Sequence, residues 1–147
     1  MKNVFLLLCM HLSISSLAQE IEIKKDMVWV DGVETFKING GALSTTYSVE
    51  NRSGKKLIFF KVDNDNKNAN GTAPYVVSFT GYQGLTASFQ GSIPVKKSIA
   101  KEIIENDLIE DDELNEQSVL RYCGASAPKA KTLTLGSKAY TPVARNT

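Results

Sequence analysis

A run of short apolar segments, separated by turn-forming residues, constrains the fold of this chain more than any other feature. About six such segments lie between residues 21 and 91, with turn signals roughly every 8 to 12 residues. In the segment that begins at Tyr75, apolar side chains recur at every second position, as expected for a half-buried strand. The pair Asp31–Gly32 separates two segments and is a favoured hairpin turn, because both positions accept positive φ. The pattern predicts a β-rich antiparallel sandwich or curved sheet.

The periodicity changes from that of strands to that of helices after residue 91. Apolar side chains spaced four residues apart form one helical stripe, which comprises Ile99, Ile103, Ala100 and Ile104. We expect a helix over residues 95–108 and a second, shorter one over 115–122, which Gly124 ends. The expected fold class is therefore α+β: about six short strands followed by one or two packed C-terminal helices and a basic tail.

The N-terminal residues have the organisation of a secretory signal peptide. Lys2 gives a basic start, and an apolar run extends from Val4 to about Leu12. Ser16 and Ala18 form the small-x-small pattern that precedes a cleavage site, so we expect cleavage after Ala18. The apolar run is shorter than the roughly 20 residues that span a bilayer. These features predict an exported protein of the periplasm or extracellular space that is not an integral membrane protein after cleavage.

The sequence predicts three parts along the chain. Residues 1–18 form the signal peptide, 19–124 a single β-rich α+β domain, and 125–147 a basic tail or a terminal hairpin. The last part contains no acid, and its basic residues are Lys129, Lys131, Lys138 and Arg145. The hairpin alternative rests on Gly136–Ser137, a pair that suits a two-residue turn.

Removal of the signal peptide changes which chemistry the chain can perform. His11 and Cys9 leave with it, so the exported chain has no histidine and a single cysteine, Cys123. Sixteen basic and sixteen acidic residues remain, which gives no net field for nucleic acid. A Ser-His-Asp triad, a Cys-His pair and the usual zinc sites all require residues that are missing. The inventory therefore favours a protein that is not an enzyme.

Two loops carry candidate site residues. Asp63 and Asp65 lie in an Asn-rich loop that departs from the EF-hand pattern, so they indicate at most a loose Ca²⁺ site. The alternative is an ordinary surface loop, for which Asn, Asp and Gly are the usual residues. Tyr82, with Gln83, stands in a glycine-bounded turn and is the candidate for contacting a ligand or glycan. We expect no other cofactor.

Cys123 and an acidic segment are the remaining candidates. Cys123 follows Val119 and Leu120 on one apolar helix face, which favours a buried packing residue. The alternative is an exposed thiol that forms a disulfide between two chains. Eight acids and no base lie from Glu102 to Glu116. We interpret them as a solvated helix face and linker, with a cation site, a landing patch for a basic partner or docking of the basic tail as alternatives.

Three functions remain open at this point. The leading hypothesis is a non-catalytic extracytoplasmic binding or interaction module, whose partner is an unknown protein or glycan. The second is a carboxylate- or metal-dependent hydrolase, which needs two acids that converge in a pocket with shifted pKa values. The third is a structural or assembly subunit of the cell envelope.

Two glycosylation sequons, at Asn51 and Asn70, both lie in expected turns.

Overall fold

The computed structural model describes residues 18–124 and the backbone of two short strands near the C-terminus. The expected signal peptide, except Ala18, and most of the expected basic tail lie outside these residues. The elements, in chain order, are β1 (Ile21–Lys24), β2 (Met27–Val30), β3 (Val33–Asn39), β4 (Thr46–Glu50), β5 (Lys56–Val62), β6 (Tyr75–Phe79), β7 (Thr86–Phe89), α1 (Val95–Glu105), β8 (Ile109–Glu110), β9 (Glu113–Leu114), α2 (Glu116–Tyr122), β10 (Leu133–Leu135) and β11 (Lys138–Tyr140).

Strands β1 to β7 form one antiparallel sheet in which each strand pairs with its neighbour in sequence. The helices, rather than a second sheet, cover the buried face, because their apolar residues belong to the same core as those of the strands. The α+β class is therefore confirmed, with seven sheet strands instead of about six. Strands β10 and β11 pair separately as an antiparallel hairpin.

The additional strand arises from a turn that carries no glycine. Lys25 and Asp26, with φ of 50° and 71°, reverse the chain between β1 and β2. Their values match those of Asp31 and Gly32, at 50° and 78°, which form the expected hairpin turn between β2 and β3. Asp is among the few residues that tolerate the left-handed region, so such a turn forms without a glycine signal.

The buried face of the sheet follows the alternation seen in the sequence. One cross-strand row runs through Ile38, Val49, Ile58 and Phe79. All four side chains are buried, whereas their neighbours along each strand mostly point to the other face. Edge-to-face contacts such as that between Phe60 and Phe89, with ring centroids 5.5 Å apart, complete this layer.

Both helices pack on this layer, α1 through the expected stripe and α2 through Val119. Ile99, Ala100 and Ile103 of α1 are buried, and α1 contacts β1. Helix α1 ends three residues earlier than the sequence suggested, because Asn106 closes it and Asp107 adopts a φ of 52°. The acidic segment that follows is not a simple linker. Asp111 and Asp112, with φ of 50° and 64°, turn the chain between β8 and β9.

Candidate functional site

An apolar groove lies at the end of the sheet where the long loops meet. We call it the loop-end groove; its volume is about 650 Å³. It is lined by Asp26, Gly40, Gly41, Ala42, Tyr47, Ile93, Pro94, Val95 and Lys96. The volume falls within the range of ligand sites, which is roughly 300 to 1,000 Å³. Three separate connections therefore build one concave surface: the β1–β2 turn, the β3–β4 loop and the β7–α1 segment.

Two large aliphatic side chains project into solvent beside this groove. Ile93 is 93% exposed and lines it, and Leu43, which follows the lining residue Ala42, is 97% exposed. Folding stabilises the chain by removing such side chains from water, each by roughly 1.5 to 3 kcal/mol. Leu43 and Ile93 are not buried in the core, and both lie beside the same groove. Exposed apolar side chains that cluster on one surface are typical of interaction sites.

The floor of the groove is held rigidly. The Tyr47 hydroxyl donates a hydrogen bond of 2.9 Å to the carbonyl of Gly41, and the Gly41 N–H donates one of 2.7 Å to the Ser44 hydroxyl. Gly40 has a φ of 142°, and a Cβ there would lie 2.9 Å from Cε1 of Tyr47. Glycine is thus required at this position both by backbone conformation and by the close approach of the ring.

One ion pair ties the helix to the sheet at the edge of the groove. The Lys96 ammonium of α1 donates to the carboxylate of Asp26 in the β1–β2 turn, and the lysine side chain is largely covered. The groove accordingly presents an apolar centre with one paired charge at its rim. An apolar centre with few polar groups at its edge is the usual composition of a ligand-binding site.

A second groove lies at the opposite end of the sheet, where the tight hairpins meet. We call it the acid-rimmed groove; it encloses about 330 Å³. Its apolar floor comprises Val30, Val33, Phe36, Ile103, Ile104 and Ile109. Its carboxylates are Glu34, Asp107, Asp111 and Asp112. Sequence reasoning recognised the acids after residue 102 but missed Glu34, because only the fold brings the β2–β3 hairpin to them.

One of these carboxylates is already neutralised. The Arg52 side chain donates from Nε to both carboxylate oxygens of Asp112, at 2.9 and 2.8 Å. This hydrogen bonding lowers the pKa of Asp112 and raises the pKa of Arg52. A general acid would need the opposite shift, towards a raised carboxyl pKa. No group of three or more potential metal ligands occurs among the described residues.

The structure places the two loop candidates in different surroundings. Tyr82 is only 7% exposed and belongs to the hydrophobic core, so the exposed turn-tip tyrosine expected from the sequence is not observed. Gln83 beside it is exposed, and a ligand role for it stays a prediction. The Asp63 carboxylate accepts from the backbone N–H of Asp65 and from the Asn66 amide, at 3.2 and 2.8 Å. Both carboxylate oxygens of Asp63 therefore accept hydrogen bonds from within the loop.

Cys123 lies in the core, as the packing interpretation expected. It is fully buried, unpaired and directly after the last helical residue of α2. Burial raises the pKa of its thiol to about 11. A disulfide between two chains stays a prediction. Its formation would require the C-terminal end of α2 to open, because the thiol is buried. Ala18, the expected cleavage position, is exposed and precedes β1.

Comparison with protein-family models, with characterised proteins and with solved structures gave no match. Among the described residues, no helix combines the length and the apolar character needed to cross a membrane.

Proposed function

We propose that this chain is an exported, non-catalytic interaction module that binds its partner at the loop-end groove. The observation that carries the proposal is the near-complete exposure of Leu43 and Ile93 beside a groove of about 650 Å³. Interfaces gain most of their binding energy from a few residues that become fully covered on binding. Loops on a rigid scaffold are the usual place for such residues.

The test compares partner capture by the mature chain and by the double variant Leu43→Ser/Ile93→Ser. Both side chains already lie in water, so the substitutions are expected to change the free energy of unfolding by only about 0.5 kcal/mol. Envelope extract of the producing cell is the source of partners, and quantitative mass spectrometry is the readout. We expect one enriched protein or glycoconjugate to lose at least about tenfold in recovery with the double variant.

Val33→Ser provides the matched control, because Val33 is also an exposed aliphatic residue but lies at the opposite end of the sheet. This variant is expected to capture the same partner as the unmodified chain. Equal enrichment by all three proteins, or no enrichment by any of them, would contradict a binding site at the loop-end groove.

An assembly function is the second candidate, and the open sheet favours it. Strands β1 and β7 each pair on one side only within the described residues. An unpaired edge is a template for strand addition from another chain. The substitution Ser88→Pro in β7 removes a backbone donor that faces away from β6 and blocks such pairing. Loss of a concentration-dependent oligomer in this variant, measured by light scattering, would favour assembly over the first proposal.

The hydrolase hypothesis has weaker support. The acid-rimmed groove does bring several carboxylates to one recess, as that hypothesis required. However, Asp112 is held as an anion by Arg52, with its pKa lowered. A carboxyl that donates a proton in hydrolysis needs a raised pKa, which burial or a neighbouring negative charge supplies.

A further inference from the structure

The acid-rimmed groove combines an apolar floor with carboxylates that lack a cationic partner within the described part of the chain. Asp107, Asp111 and Glu34 form no ion pair with any lysine or arginine of the described residues. The floor between them is built from isoleucine, valine and phenylalanine side chains of both the sheet and α1. A matching occupant therefore presents small apolar groups together with positive charges and carries no acid of its own.

The chain itself contains one segment of this composition. Residues 125–147 include no aspartate or glutamate, and they begin with alanines and a proline around Lys129 and Lys131. Across the exported chain the charges balance, so the surplus of positive charge in this segment equals the surplus of negative charge elsewhere. Charge complementarity favours an association between the two.

The segment also starts close enough to reach the groove. Nη2 of Arg121, in the last turn of α2, lies 3.5 Å from the carbonyl oxygen of Asn106, the residue before Asp107. Gly124 follows Arg121 by three residues, a rise of about 4.5 Å in a helix. From Gly124 to Lys129 the chain extends by up to about 17 Å. Lys129 and Lys131 are thus within reach of the rim without any rearrangement of α2.

We propose that the C-terminal segment, residues 125–147, docks intramolecularly in the acid-rimmed groove, with Lys129 and Lys131 at Asp107 and Asp111. The proposal concerns the end of the sheet opposite the loop-end groove and does not depend on the proposed function. Docking neutralises the repulsion among the rim carboxylates and covers the apolar floor. The segment therefore acts as a strap that stabilises the β8–β9 hairpin.

A double-mutant cycle in the full mature chain tests this. The segment is changed by Lys129→Glu/Lys131→Glu and the groove by Asp107→Asn/Asp111→Asn; asparagine keeps the positive φ of both positions. Lys61→Glu/Lys67→Glu is the matched control, since it makes the same charge change at two exposed lysines elsewhere. The readout is amide hydrogen exchange over residues 103–112 at low ionic strength.

Docking predicts a specific pattern of exchange rates. The segment variant and the groove variant should each exchange about fivefold faster than the unmodified chain, and their combination no faster than either. High salt should remove the difference, because it screens exposed ion pairs. Additive effects, an equal acceleration in the control or no acceleration in the segment variant would overturn the proposal. Protection that disappears on dilution would also overturn it, since a second copy would then supply the segment.

Discussion

At the scale of single residues, Asn51 shows how a polar side chain connects two parts of the fold. It is 4% exposed, and its carbonyl oxygen accepts from the backbone N–H groups of Ser53 and Lys55, at 3.1 and 2.9 Å. Its amide donates to the carbonyl oxygen of Asp112 at 2.8 Å. The sequence placed Asn51 in an accessible turn as a sequon, and this accessibility is not observed. Asn70, the second sequon, is exposed.

We expect Asn51→Ala to lower the free energy of unfolding by about 2 to 3 kcal/mol, because it removes the side-chain hydrogen bonds to Ser53, Lys55 and Asp112. Urea denaturation followed by tryptophan fluorescence measures the change. Asn70→Ala, in an exposed loop, is the control and should stay within about 0.5 kcal/mol of the unmodified chain. Equal stability of the two variants would show that the Asn51 bonds contribute nothing net.

Cys123 gives a prediction for the pH dependence of stability. Its pKa rises from 9.0 to about 11 through burial, so the unfolded chain releases the thiol proton at lower pH than the folded chain. The contribution to stability is therefore complete below about pH 9 and is lost as pH rises towards 11. The expected slope in this window is about 1.4 kcal/mol per pH unit. Cys123→Ala should lack the slope between about pH 9 and 10, below the range in which Tyr122, whose pKa is also raised by burial, contributes a slope of the same sign.

Alkylation provides a second measurement of the same feature. Iodoacetamide should label the folded chain at pH 8 far more slowly than the chain in urea, because the thiolate is the reactive form. Non-reducing electrophoresis of the protein tests the disulfide alternative. A reducible dimer that disappears in Cys123→Ser would show that the thiol becomes accessible.

At the scale of elements, hairpins with turns in the left-handed region dominate the fold. The turn at Asp31–Gly32 was predictable, because an Asp-Gly pair readily adopts the positive φ angles that a two-residue hairpin turn requires. The turns at Lys25–Asp26 and Asp111–Asp112 were not, because they carry no glycine and because aspartate and lysine also occur on helix surfaces and in linkers. In the second case, the fold supplies Arg52 and Asn51 as partners from about 60 residues away.

Arg52 should govern the stability of the β8–β9 hairpin. We expect Arg52→Gln to increase amide exchange across Ile109–Leu114, because Asp112 loses its bidentate partner. The pKa of Asp112 is lowered in the folded chain, so this contribution is present above about pH 4 and is lost as pH falls. Lys55→Gln, which removes a single exposed bond to Glu113, is the control with the smaller effect. Equal exchange in both variants would contradict the assignment.

The two candidate grooves could not be predicted from the sequence either, because they form where segments distant along the chain meet. The alternation of apolar residues predicts which face of a strand is buried, and the core confirms this for Tyr47, Val77 and Phe89. It does not predict which loops meet at one end of the sheet. Nothing in the sequence distinguishes Leu43 and Ile93 from other loop residues, and only the fold places them beside one groove.

At the scale of the whole molecule, the expected cleavage site and the first strand fit together. Glu20 already belongs to the fold, because its N–H donates to the Asp31 carboxylate at 2.9 Å and its carbonyl accepts from the Asp31 N–H at the same distance. Cleavage after Ala18 would leave these contacts intact and would free only Gln19.

We therefore expect intact-mass measurement of the exported chain to give a protein that begins at Gln19. Ala18→Arg, which removes the small residue before the cleavage site, should retain the precursor mass in the membrane fraction. Gln19→Asn is the control and should be processed normally. An exported chain of unchanged length in all three cases would contradict the signal-peptide interpretation.

The sequential order of the strands has a kinetic consequence. Each of the seven strands pairs with its neighbour along the chain, so the sheet can form by closing short loops, which is entropically cheap and favours fast folding. The contact of α1 with β1 is different, because it joins segments about 70 residues apart. The loop-end groove needs that contact, since Asp26 and Lys96 both line it. We therefore expect binding competence to appear in the last kinetic phase of refolding, after the sheet.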